Sequence, residues 1–184
     1  MSEFVVTRAI VINRLPKENN IDITLLTEKL GKIYVKANGA QKITSRRLGQ
    51  IQLGNIINAH LYRHQNSFWL SESIVESAFL QNQISLSQSN LLFFILEVSN
   101  RLLPTEVNQP EIFFTIKQAV DNIKRNSFAK LIDNEIKFLD LLGFGPPEEI
   151  ILSFDQKKYR HCQQLITAYF ESLTNYQFQS LKLW

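Results

Sequence analysis

The chain has 184 residues, 45% of them hydrophobic, with 20 Lys/Arg against 17 Asp/Glu and a formal net charge of +3. That supplies one large core or two small ones and excludes an intrinsically disordered chain. A single cysteine excludes a disulfide framework and a cysteine-rich zinc site. The absence of any run near the ~18 apolar residues of a membrane span, or of an export leader at Met1-Ser2-Glu3-Phe4, points to a cytoplasmic protein with no membrane association.

The first 80 residues read as strands. Phe4–Ile12 is a β-branched run, Ile21–Thr27 is a second, and Pro16, Asn19 and Asn20 mark the turn between them. After a turn at Gly31, the stretch Lys32-Ile33-Tyr34-Val35-Lys36-Ala37 alternates, and side chains on a strand alternate between faces. Ile33, Val35 and Ala37 are assigned to a core. Lys32, Tyr34 and Lys36 then share the opposite face, an aromatic ring between two ammonium groups. That combination stacks a base while neutralising neighbouring phosphates, although a solvated strand face carrying one tyrosine reads the same way. Residues 38–49 follow as a basic loop containing Lys42, Arg46 and Arg47. From Gln50 to His64 alternation returns, with Ile51, Leu53, Ile57, Ala59 and Leu61 inward, His60, Tyr62 and His64 outward, and a bulge expected at Gly54. In the last strand Phe68 and Leu70 face inward and Trp69 outward. Five short strands in about 80 residues fit a small closed barrel of the OB type better than a sandwich of about seven strands.

Charge is uneven along this order. No Asp or Glu occurs between Glu28 and Glu72, whereas Lys29, Lys32, Lys36, Lys42, Arg46, Arg47 and Arg63 do. Residues 1–80 hold 10 Lys/Arg and 6 Asp/Glu, and residues 81–184 hold 10 and 11, so the positive charge belongs to the first half. A one-sign stretch of this length is the footprint of a phosphate-bearing partner.

At residues 81–90 the composition shifts to Gln, Asn and Ser, and helical spacing begins. The expected organisation is an α+β chain, with a nucleic-acid-binding barrel over 1–80 and an all-α helical domain over 81–184. One helix carries Leu91, Leu92, Phe94, Ile95, Leu96 and Val98 and is apolar on most sides. A second starts at Pro110, a third runs from Phe128 through Leu131, Ile132, Ile136, Leu139 and Leu142 to Gly143, and a last one buries Cys162, Leu165, Ile166, Tyr169, Phe170 and Leu173. Beyond Pro147 a short connection or helical turn is expected, with Ile150, Ile151 and Phe154 against the core. Cys162 on that stripe behaves as a small hydrophobe. No phosphate loop, nucleophile elbow or paired-acid constellation occurs, so neither catalysis nor a small-molecule substrate, metal or other cofactor is expected.

Specific segments resemble the RecO recombination-mediator family. The run Asp22–Ala40, continued by Lys42 and by Ser45-Arg46-Arg47-Leu48-Gly49, is similar to that family's strand, glycine turn and "K-G-A-R-basic-…-S-R-L-x-G" loop. Asn134–Pro146 is similar to its "F-E-x-x-L-L-x-x-L-G-Y-x-P" helix end, and Phe178–Leu183 matches its tail. The resemblance implies binding of single- and double-stranded DNA, annealing of complementary strands, and contact with the tail of single-stranded-DNA-binding protein. It also implies loading of the RecA recombinase together with RecR, all without enzymatic turnover. The DNA-contacting residues it points to are Lys32, Lys36, Lys42, Arg46, Arg47 and Arg63 for phosphates, with Tyr34, Tyr62 and Trp69 for bases. Many members carry a four-cysteine zinc module after the "L-G-Y-x-P" segment. Here Pro146 leads directly through Glu148–Leu152 toward the last helix. Two other readings explain the same residues. One is a protein-interaction adaptor that docks a partner's tail on the helical phenylalanines, and the other is an RNA-binding OB module.

Overall fold

The computed structural model describes residues 3–18, 20–38, 46–80, 83–178 and 180. Five strands, β1 (Glu3–Pro16), β2 (Asn20–Thr27), β3 (Gly31–Asn38), β4 (Ile56–His64) and β5 (Ser67–Ser77), close a barrel in the order β1-β2-β3-β5-β4. Helix α1 (Arg46–Gln50) lies between β3 and β4. Helices α2 (Leu86–Leu102), α3 (Pro110–Lys124), α4 (Phe128–Leu141), α5 (Glu148–Asp155) and α6 (Tyr159–Thr174) follow. This is the expected α+β order of an OB-type barrel and then helices. The chain divides into two compact units, one of Met1–Gln83 with Leu103–Phe113 and one of Ile84–Leu102 with Phe114–Trp184.

Closure depends on β1, which at 14 residues is long enough to pair with two strands. Its residues from Ala9 to Pro16 pair with β2 and those from Glu3 to Ile10 with β4. A register shift between Val11 and Asn13 bends it between the two partners, as a bulge does. The gap is then shut by a short parallel contact of β3 with β5, through Val35–Phe68 and Lys36–Trp69. The interior is filled by the alternate residues anticipated from the sequence. Ile33, Val35, Ala37, Ile57, Ala59, Leu61, Phe68 and Leu70 are all at most 5% exposed. Each of the Ile, Val, Leu and Phe side chains among them contributes roughly 1.5–3 kcal/mol by leaving water.

Two local expectations are corrected. The strand expected from Gln50 begins only at Ile56, because residues 51–55 form a turn. Gly54 adopts φ +77° there, and Asn55 donates to the carbonyls of Gly49 and Gln50 and accepts from the Phe79 amide, closing the C-terminal end of α1. Gly54 is therefore a turn residue and not a bulge in β4. The second correction concerns Lys32, which is buried although Tyr34 and Lys36 on the same side of β3 are exposed. Residues 103–107 run alongside the start of β3, with Thr105 bridged to Lys32 and the Glu106 amide donating to the Lys32 carbonyl at 2.8 Å. Leu103, Pro104, Val107 and Ile112 surround Lys32 and Leu26, and this burial lowers the Lys32 pKa from its ordinary value.

In the helical unit, α2 opens with a capping box. The Gln88 amide donates to Ser85 Oγ and the Ser85 amide to Gln88 Oε1, so two amides of the first turn are satisfied. Gly143, at φ +80°, follows α4 where its end was anticipated. The connection expected after Pro147 is the two-turn helix α5, with Ile150 buried. Phe94 meets Phe170 and Phe178 edge-on at 6.0 and 5.2 Å, and Phe138 meets Phe170 at 6.2 Å. Phe94 is a core residue of this unit, whereas Phe93 and Phe114 remain 45% and 40% exposed; Phe113 is buried in the barrel unit.

Candidate nucleic-acid interface

On the outer face of the barrel the register places four side chains in one row across four strands. Phe4 on β1 is opposite Tyr62 on β4, Tyr62 is opposite Trp69 on β5, and Trp69 is opposite Lys36 on β3. The side chains follow their backbones. The Phe4 and Tyr62 rings lie 6.1 Å apart at a tilt, and those of Tyr62 and Trp69 lie 6.2 Å apart and nearly parallel at 11°. The Lys36 ammonium sits over the Trp69 ring, 5.1 Å from its centroid, where the negative face of the indole attracts a cation. Tyr34, 60% exposed, is two residues from Lys36 on the same side of β3 and borders an open cavity of about 300 Å³ that also reaches Asp22, Thr24 and Ser67.

Tyr62, Trp69, Lys36 and Tyr34 are therefore brought together as the alternation implied. Lys32 is not among them, being covered by residues 103–107. Arg63 follows Tyr62 and so faces the other way, with its guanidinium 4.9 Å from the Phe68 ring centroid and paired with Glu106 at 3.2 Å. Lys29 Nζ donates to the Val6 carbonyl at 2.8 Å. Lys42 lies outside the described residues. Arg46 and Arg47 begin α1, and only their backbone is described.

Phe4 is the site residue that the sequence reading missed. It heads the run Phe4-Val5-Val6, which by composition looks like an unbroken core strand, yet it is 73% exposed and Val6 45%. The available signal was the outward position of Trp69 and Tyr62 combined with strand order, since an aromatic residue opposite Tyr62 extends the same row.

A row of rings, exposed at Phe4 and half-buried at Tyr62 and Trp69, that ends at an ammonium can stack planar bases and hold a phosphate. It holds no nucleophile or general base. No group of three or more metal-ligating side chains occurs among the described residues. Among them also, no helix is long and apolar enough to cross a membrane.

Residues 1–78 match the family described as Recombination protein O N terminal. The chain is similar to the protein named DNA repair protein RecO in Thermoanaerobacter sp. (strain X514), 25% identical over 144 residues that make up 76% of this chain and 58% of the relative. The protein of the same name in Caldanaerobacter subterraneus is 25% identical over 147 residues, 78% of this chain and 60% of that one. The one in Dehalococcoides mccartyi is 25% identical over 173 residues, 92% and 64%. The chain thus spans less than two thirds of the length of each of these relatives.

Proposed function

We propose, from the similarity of residues 1–78 to the RecO N-terminal family and of the chain to proteins named DNA repair protein RecO, that it is a RecO-type DNA-binding mediator whose barrel holds single-stranded DNA. It also engages duplex DNA through phosphate contacts, anneals complementary strands, and helps load recombinase with RecR in the cytoplasm. Its helical part receives the tail of single-stranded-DNA-binding protein. It acts by binding and not by turnover. The observation that carries this reading is the Tyr62–Trp69 stack with Lys36 over the indole, on a barrel whose residues 29–71 include no acid.

The test is a titration of labelled single-stranded DNA at several salt concentrations. If Lys36, Lys42, Arg46 and Arg47 each neutralise one phosphate, log affinity falls against log salt with a slope near −3, from about 0.7 per contact on single strands. Trp69→Ala is expected to weaken binding about 5- to 150-fold, the range of base–aromatic stacking. A flat salt response would sink the reading and favour the adaptor, for which the exposed Phe93 and Phe114 are the observation to pursue. Tighter binding of an RNA oligonucleotide of the same sequence would move the assignment to RNA.

Removing the loop charges with Lys42→Ala, Arg46→Ala and Arg47→Ala together is expected to flatten the slope by about 2, three contacts' worth. Thermal unfolding measured in parallel shows whether the barrel is intact. A folded triple variant with the wild-type slope would leave the loop without a role in binding.

A further inference from the structure

We propose, building on the DNA-binding reading, that Phe4, Tyr62, Trp69 and Lys36 form a track on which a single strand lies across the β-strands, unstacked, with one base on each ring. Phe4 becomes a base-stacking residue at one end of that track. The direction follows from the register: the four residues are successive cross-strand partners on β1, β4, β5 and β3, so a line through them runs across those four strands. The spacing says how the bases lie. Ring centroids step by 6.1 and 6.2 Å, whereas successive nucleotides in a stacked duplex strand rise by about 3.4 Å. Bases placed one per ring are separated from each other and stack on protein instead.

The two ends of the row differ. At the β3 end an incoming base takes the Trp69 face and displaces the Lys36 ammonium onto its own phosphate. Beyond Lys36 the next cross-strand partner is Asp22 on β2, whose carboxylate repels a further phosphate and ends the track there. At the β1 end Phe4 is 73% exposed, which leaves its side chain accessible to a ligand. Charge complementarity selects the occupant, since the row of rings ends at the Lys36 ammonium.

Holding bases apart favours strands that resist stacking. The full-length chain should therefore bind oligo-dT more tightly than oligo-dA of equal length, because the adenines must first be unstacked. Phe4→Ala should weaken oligo-dT binding about fivefold or more, and Phe4→Tyr should restore it, with circular dichroism and the thermal midpoint unchanged for so exposed a position. If Phe4→Ala binds like wild type while Trp69→Ala is weakened, the track is wrong and the DNA-binding reading stands. Equal affinity for oligo-dA and oligo-dT would overturn the unstacked mode. Salt-independent or absent binding of both oligonucleotides would remove the DNA-binding reading and the track with it.

Discussion

Gly31→Ala is expected to destabilise the barrel unit by about 3 kcal/mol or more, and its thermal midpoint should fall by more than about 10 °C. Two penalties combine at this position. Gly31 has φ +69°, a conformation that costs an L-residue about 1–2 kcal/mol. A Cβ built there would also lie 2.0 Å from the carbonyl oxygen of Val107 and 2.6 Å from its carbon, and both obstacles are backbone. Neither side can give way cheaply. The turn is locked by Thr27, whose Oγ1 donates to the Gly31 carbonyl and accepts from the Leu30 amide, each at 2.9 Å. If residues 103–107 moved instead, the bond from the Glu106 amide to Lys32 would break, and Lys32 and Leu26 would be uncovered. Gly49→Ala is the matched control, because a Cβ there meets nothing within 4 Å and the residue lies in α1. Alanine is the better helix former, by at most roughly 0.5–1 kcal/mol at a position one residue from the end of α1, so this variant should melt at or slightly above the wild-type midpoint. Equal midpoints for Gly31→Ala and wild type would mean that the 103–107 segment does not seat against the β2–β3 turn.

The same segment shows why part of this fold was readable from sequence and part was not. Alternation in Lys32–Ala37 correctly sorted the two sides of β3, because the side on which a residue points is a local property of a strand. What covers that side is not local. The cover over Lys32 arrives some 70 residues later, in Leu103-Pro104-Thr105-Glu106-Val107, which has neither helical nor strand periodicity to announce it. Arg63 illustrates a related limit, since charge alone made it a phosphate ligand while its parity relative to Tyr62 already put it on the other side. Phe4 was hidden by an unbroken apolar run, where periodicity cannot separate core from surface. Helix ends, by contrast, were readable at Pro110 and Gly143 because the residues themselves impose the boundary. In α4 the expected stripe took Ile136 as a core position. The structure turns the helix slightly, leaves Ile136 half-buried and buries Glu135, which stands four residues after Leu131 and three after Ile132.

That buried carboxyl should make the stability of the helical unit depend on pH. Glu135 is 0% exposed, and burial holds its pKa up at about 8, with only a partial downward pull from its bond to Gln163. Gln163 Nε2 on α6 donates to Glu135 Oε1 at 3.3 Å, and the two atoms left without partners are Glu135 Oε2 and Gln163 Oε1. Both are acceptors. A proton on Oε2 supplies the one missing donor and allows an acid–amide pair linking α4 to α6, so the fold favours the neutral acid. The neighbouring Cys162 thiol is pushed up to about 11 by burial and by Glu135, so it stays protonated across the same range. Because the folded pKa lies above the unfolded value near 4.5, the favourable contribution of this group is complete below pH 4.5. It declines as pH rises toward 8 and is constant above that. Over that window of about 3.5 pH units the loss is on the order of 5 kcal/mol as an upper bound. Glu135→Gln keeps the shape and supplies the missing donor permanently. Its stability relative to wild type, measured by denaturant unfolding at pH 5 and pH 8, should therefore rise with pH, by several kcal/mol at the upper end. Glu135→Ala should be destabilised at pH 5, where the acid–amide pair is intact in wild type, because it leaves a void and strands Gln163. Parallel pH profiles for wild type and Glu135→Gln would show that the carboxyl titrates alike in the folded and unfolded chain, and that water reaches it between α4 and α6.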